Sequence, residues 1–248
     1  MSNLKAVILA AGMGLRLRPR TQKLPKGLLE VDGKTLLERS FLALKQAGMS
    51  EVVIAAGYLH EMIQTRFGDN FQGMPLRYIL NAEYAVTGSM YSFSKTKEAV
   101  KNSAVLLLES DLLYDQQLID IALRSPHRNV MLVSPLSGSG DEVYVCADKR
   151  NQLRALGKQL SDDQKRQACG EMVGISRFSA NFLEHLFKTA EDDYARGERL
   201  YHYEECVMRA TTEDLPVYTL PTAFPWIEID REEDLKRARE VIYPRLTK

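Results

Sequence analysis

Three cysteines, Cys146, Cys169 and Cys206, are all that the 248 residues contain. Their odd number and wide scatter exclude a disulfide framework, and they lack the spacing of a metal-binding cluster. Such usage suits a reducing compartment, and the cytoplasm is the expected location. Excess charge is missing too: Lys+Arg and Asp+Glu both number 33, so the formal net charge is zero. With no global field to gather nucleic acid or an anionic membrane, neither is expected as a partner, and any anion site must be local. No apolar run approaches the roughly 20 residues of a membrane span. The apolar start from Leu4 to Ala11 lacks the basic leader and cleavage pattern of a signal peptide. Histidine is sparse, and His60, His127, His185 and His202 have no mutual metal spacing. Repeats, low-complexity linkers and runs of like charge are also lacking, so residues 1–248 are expected to form one domain.

What is present is ample apolar material, 45% of the residues. Strand-length apolar runs at 6–10, 52–55, 76–80 and 104–108 are unbroken rather than alternating, which predicts a sheet covered on both faces. Helical patterns stand between them: after Gly33, with Leu37, Phe41 and Leu44 in register and Gly48 as the stop, then at 59–67, 89–100 and 116–123. This alternation predicts an α/β fold with a doubly wound, mostly parallel, Rossmann-like sheet. From about Val130 shorter strands at 142–146, 153–157 and 172–178 predict mixed or antiparallel additions to that sheet. Residues 1–130 and 131–248 are thus read as two parts of one domain. A last strand at 226–230 leads into an amphipathic helix at 232–242.

Directly after the first strand stands Gly12-Met13-Gly14-Leu15-Arg16, and Pro25-Lys26 follows a short way on. Ligands of doubly wound sheets bind beyond the carboxyl ends of the strands, where glycines let backbone N–H groups approach phosphate oxygens. A dinucleotide fingerprint would need a third glycine where Leu17 stands, and no Gly-Lys-Ser/Thr follows for a P-loop. Alone, the glycine pair is a weak signal and reads first as an ordinary turn.

The longer run from Leu9-Ala10-Ala11-Gly12 through Arg16-Leu17-Arg18-Pro19-Arg20-Thr21, followed by Leu24-Pro25-Lys26-Gly27 and Val31-Asp32-Gly33-Lys34, resembles the signature loop of nucleotidyltransferases that make activated sugars and amino-alcohols. The resemblance implies a nucleotidyltransferase-type sheet with a small acceptor-binding lobe. It also implies that Leu9, Ala11, Gly12 and Gly14 wrap the triphosphate while Arg16 and Lys26 neutralise it as the catalytic cations. Asp111 ends the most apolar strand, and Glu228 and Asp230, two apart on one strand, share a face. Carboxylates there suit Mg²⁺, and the resemblance implies Asp111 and Asp230 as joint ligands, with Glu228 a further candidate. The segment from Asn81 to Ser89 resembles the family's nucleobase loop, with Gly88 and Ser89 at the reading position. Thr87 or Ser89 could equally cap the following helix.

For the acceptor, the candidates are Lys158, Glu171, Tyr203, Glu204 and the pair Asp141-Glu142. Lys158 resembles the family lysine that meets the acceptor phosphate, though it stands in Leu156-Gly157-Lys158 and not in the Glu-Lys-Pro common among sugar enzymes. The nearest resemblance is to phosphocholine and 2-aminoethylphosphonate cytidylyltransferases. It implies transfer of CMP from CTP to a small zwitterionic phosphate or phosphonate, with Mg²⁺ as cofactor, by a monomer or homodimer. A quaternary ammonium demands an aromatic cage, yet the only tryptophan, Trp226, lies beside the expected metal strand. The acids of the second half therefore lean the reading toward 2-aminoethylphosphonate. A sugar-1-phosphate nucleotidylyltransferase is the alternative. A non-catalytic nucleotide sensor is a further one, although Arg16, Lys26, Asp111 and Asp230 are all in place.

Overall fold

The computed structural model describes residues 3–246. It opens on β1 (Leu4–Ala10), followed by tight turns through residue 28 and a small hairpin of β2 (Glu30–Val31) and β3 (Lys34–Thr35). Next come α1 (Leu36–Gln46), β4 (Val52–Ala56), α2 (His60–Phe67), β5 (Asn70–Phe71), β6 (Met74–Leu80), α3 (Ser89–Ser94) and β7 (Ala104–Glu109). The second half holds β8 (Leu112–Tyr114), α4 (Gln117–Arg124), β9 (Val130–Ser134), β10 (Tyr144–Ala147), β11 (Leu153–Gly157), α5 (Asp162–Arg166) and β12 (Gly170–Phe178). The last elements are α6 (Ala180–Ala195), α7 (Tyr203–Ala210), β13 (Tyr218–Pro221), β14 (Trp226–Glu228) and α8 (Glu232–Arg237).

The parallel centre runs β7-β1-β4-β6, and β12 lies antiparallel against β7, β9 and β10. The result is a ten-stranded mixed sheet that draws strands from both parts of the chain. The unbroken apolar strands follow from burial on both sides. In β1, Val7 and Leu9 enter the core under α3, α6 and α7, while Ala6, Ile8 and Ala10 enter the core under α1, α2 and α4. Helix α1 starts where the Thr35 hydroxyl accepts from the Glu38 N–H at 3.1 Å, and it ends at Gly48, whose φ of 78° continues the turn at no Cβ penalty.

Three features depart from the sequence reading. The helix expected over 89–100 stops at Ser94 and continues as turns. There the Thr96 hydroxyl donates to the Phe93 carbonyl at 2.7 Å, a local bond that competes with helix continuation. β9 and β13 are additional, and they pair in parallel with each other. The last strand ends at Glu228 rather than at 230 and lies outside the main sheet, antiparallel to β8. Among the described residues no helix is long and apolar enough to cross a membrane.

Candidate active site

The carboxyl ends of β1 and β7 open into a cleft of about 700 Å³. Its floor is the glycine loop. Gly14 takes a left-handed φ of 59°, and its carbonyl accepts from the Thr21 hydroxyl at 2.7 Å, tying the loop closed. A Cβ on Gly14 would fall 2.9 Å from Lys26 Cγ, so the missing side chain leaves the room through which Lys26 passes.

Lys26 reaches two acids. Its ammonium donates to Asp111 at 2.7 Å and also to Asp230. Burial works against this charge, but Asp111, Asp230 and Glu228 outweigh it and raise the Lys26 pKa. Arg16 donates to Asp230 at 2.6 Å and to Asp141, and Asp141 in turn meets Lys158 at 2.9 Å. A chain of alternating charge therefore joins the glycine loop to β11. Burial pushes the Asp230 carboxyl up, yet Lys26 and Arg16 hold it below its ordinary range.

Beside this chain, Glu109, Asp111 and Glu228 bring one carboxylate oxygen each to within 4.8 Å of one another. Burial, then Asp111 and Glu204, push the Glu109 carboxyl up, and burial with Glu109, Asp111 and Asp230 pushes Glu228 well up. Three half-buried carboxylates this close together are held at a cost that a hard divalent cation offsets, and the donor set fits Mg²⁺. Asp111 and Glu228 are among the acids expected from the sequence, and Glu109 joins them. Asp230 adjoins the trio, and both it and Asp111 are paired with Lys26. Glu109 and Asp111 stand two apart at a strand end, the same face-sharing argument that singled out Glu228 and Asp230, so the spacing was there to be read.

The nucleobase segment is held from behind. Asn81 is buried, with its amide donating to Thr87 at 3.0 Å and to Ser92 at 2.9 Å and its carbonyl oxygen accepting from the Glu83 N–H at 3.0 Å. It braces the loop and does not line the cleft, contrary to its expected place on the nucleotide. Gly88 and Ser89 do line it, with Leu9, Ala11 and Gly12. Neither Thr87 nor Ser89 caps α3. Thr87 donates to the Glu83 carbonyl, and the Ser89 hydroxyl accepts from the Tyr203 N–H at 3.0 Å, at the start of α7.

Of the acceptor candidates, Lys158, Asp141, Glu142, Glu171 and Glu204 line the cleft, and Tyr203 does not. The Tyr203 ring is 1% exposed inside the core, because as the first residue of α7 it packs inward, with its hydroxyl against Glu109 and 3.6 Å from Met172 Sδ. It supports Glu109 and forms no wall. Ser137, which donates to Glu171 Oε2 at 3.0 Å, was not anticipated, and nothing local in the sequence marks it.

Residues 6–177 match the MobA-like NTP transferase domain. The chain belongs to the MobA-like NTP transferase family. It is a nucleotidyltransferase, and the glycine loop, Lys26 and the Glu109-Asp111 strand end all fall within the family's matched span. The choline-phosphate cytidylyltransferase of Haemophilus influenzae is 33% identical over 227 residues, covering 87% of each chain. The 2-aminoethylphosphonate cytidylyltransferase of Lancefieldella rimae is 30% identical over 216 residues, 86% of this chain and 83% of that one. Among solved structures, the CTP:phosphocholine cytidylyltransferase of Streptococcus pneumoniae superposes with a TM-score of 0.74 at 24% identity, covering 96% of this chain and 99% of its own. That likeness fixes the nucleotidyltransferase fold, a mostly parallel mixed sheet with flanking helices.

Proposed function

We propose that the chain transfers CMP from CTP to a small zwitterionic phosphate or phosphonate, 2-aminoethylphosphonate or phosphocholine, and releases pyrophosphate. One observation carries this reading: a single cleft combines the cations Arg16 and Lys26 with the buried acids Glu142 and Glu171, which form no ion pair among the described residues. A doubly charged acceptor matches that division, whereas a sugar phosphate offers neutral hydroxyls to buried carboxylates.

In the transfer, an acceptor oxygen forms a bond to the α-phosphorus. The bond from that phosphorus to the bridging oxygen breaks, and its electron pair leaves with pyrophosphate. The acceptor oxygen is already an anion near neutral pH, so no general base is needed, and the task left to the protein is orientation and relief of repulsion between anions. Arg16 and Lys26 exchange their present carboxylate partners for triphosphate oxygens, and Lys158 meets the acceptor's phosphate or phosphonate. Glu109, Asp111 and Glu228, with Asp230 adjoining, would hold Mg²⁺, which when bound supplies charge neutralisation at the α-phosphate. Three free cysteines support a reducing, cytoplasmic setting.

Pyrophosphate release measured for CTP, UTP, GTP and ATP against 2-aminoethylphosphonate, phosphocholine and glucose-1-phosphate tests the reading. CTP with a zwitterion should dominate. Faster turnover of UTP with glucose-1-phosphate would sink it.

A further inference from the structure

Glu142 and Glu171 sit on the wall formed by residues 134–143 and the start of β12, and they are 7% and 4% exposed. Neither carboxylate has an ion pair among the described residues, and Glu142 has no side-chain hydrogen bond either. The one polar side-chain contact of Glu171 is the hydroxyl of Ser137. Burial pushes the Glu171 carboxyl up, Ser137 opposes this, and the nearby charge of Glu142 adds to it. Arg237, exposed on α8, acts on Glu171 through space without pairing with it. Two largely buried carboxylates that face one cleft without an ion pair among the described residues lack a cation that the protein itself does not bring.

The rest of the wall narrows what that cation is. It lines the cleft with Pro135, Leu136, Ser137, Val143 and Met172 and carries no aromatic ring. The rings of the cleft stand on other elements, Tyr84 in the nucleobase segment, His202 just before α7, and Phe224 and Trp226 at the entry to β14. A quaternary ammonium has no N–H and is held by ring faces, whereas a primary ammonium has three donors and is held by oxygen acceptors.

Resting on the cytidylyl-transfer reading, we propose that Glu171 and Glu142 together bind the acceptor's ammonium group, with Ser137 fixing the Glu171 carboxylate, and that the pair selects a primary amine over a quaternary one. Each N-methyl group removes a donor and holds nitrogen away from the carboxylates, so discrimination grows with methylation.

The test is a series of 2-aminoethylphosphonate and its mono-, di- and trimethylated amines, which keeps the phosphonate constant, assayed by pyrophosphate release from CTP. For the unaltered protein kcat/KM should fall stepwise along the series. Glu171→Gln should lower kcat/KM for the primary amine by roughly ten- to a hundredfold and flatten the series, as expected for loss of a charge-assisted hydrogen bond. Glu142→Gln should act in the same direction and decides the matter if Glu171→Gln does not fold. CTP affinity by calorimetry, without acceptor, should stay within about twofold, since the lost bond lies on the acceptor side. Equal use of the trimethylated and primary amines, or wild-type kcat/KM in both variants, overturns the ammonium assignment while leaving cytidylyl transfer standing. Pyrophosphate release with glucose-1-phosphate and with no amine of the series overturns the transfer reading itself.

Discussion

Lys26 has a side chain only 14% exposed and sits between Asp111, a member of the metal trio, and Asp230, which adjoins it. Charge on the transferring group and on pyrophosphate grows toward the transition state, so Lys26→Met should reduce kcat by on the order of a hundredfold or more and raise the KM for CTP far less. Single-turnover kinetics check this; a loss confined to KM would assign Lys26 to ground-state binding. Gly88 supports a second expectation. A Cβ there would lie 1.9 Å from the Tyr201 carbonyl oxygen, a backbone atom, so Gly88→Ala must push the 200–201 segment away from the nucleobase loop. Thermal unfolding should show a loss of about 1–3 kcal/mol, the usual range for overpacking. How legible the site was depended on whether a residue's role is set locally. The glycine loop, Arg16 and Lys26 carry a near-contiguous motif, Asp111 marks the end of the most apolar strand, and all converge on one cleft. Glu109 joins Asp111 and Glu228 because the ends of β7 and β14 are brought together, and that is a tertiary fact. Tyr203 was misplaced because a ring at a helix start faces core or cleft according to how α7 docks.

Helix α7 connects the nucleobase loop to the acceptor wall. Its first N–H, from Tyr203, is satisfied by the Ser89 hydroxyl, while Glu204 faces the cleft. Ser89→Ala leaves that donor without its partner and should lower stability by about 1 kcal/mol in urea unfolding, comparable to loss of a cap. It should also weaken use of the acceptor, because α7 no longer has its tie to α3. A wild-type urea midpoint in this variant would show that water replaces the hydroxyl without loss. At this scale the parallel centre was readable, since strands buried on both faces must be apolar throughout. The pairing of β14 with β8 was not. Two three-residue strands carry too little pattern to name a partner, and their register is set by contacts distant in sequence.

Over the whole molecule, charges cancel to zero while the cleft concentrates both signs in one place. Ligands should therefore stabilise strongly and separately. Mg²⁺ added to the CTP-bound protein at about a hundred times its Kd should add about 2.7 kcal/mol, read as a rise in Tm that EDTA reverses. Asp111→Asn and Glu228→Gln should remove most of that rise and lower turnover by orders of magnitude. Near wild-type activity for either variant at saturating Mg²⁺ would remove that residue from the ligand set.

The short ladder of β14 on β8 places Glu228 opposite Leu112, directly after Asp111, and the Ile229 N–H donates to the Asp111 carbonyl at 3.0 Å. Half of the acidic site thus arrives from the far end of the chain. A polypeptide interrupted before Trp226 would keep its glycine loop, Lys26 and Asp111 but lack Glu228 and Asp230. Unfinished or clipped copies would be catalytically silent, so turnover in a cell extract counts only molecules whose synthesis has passed the last strand.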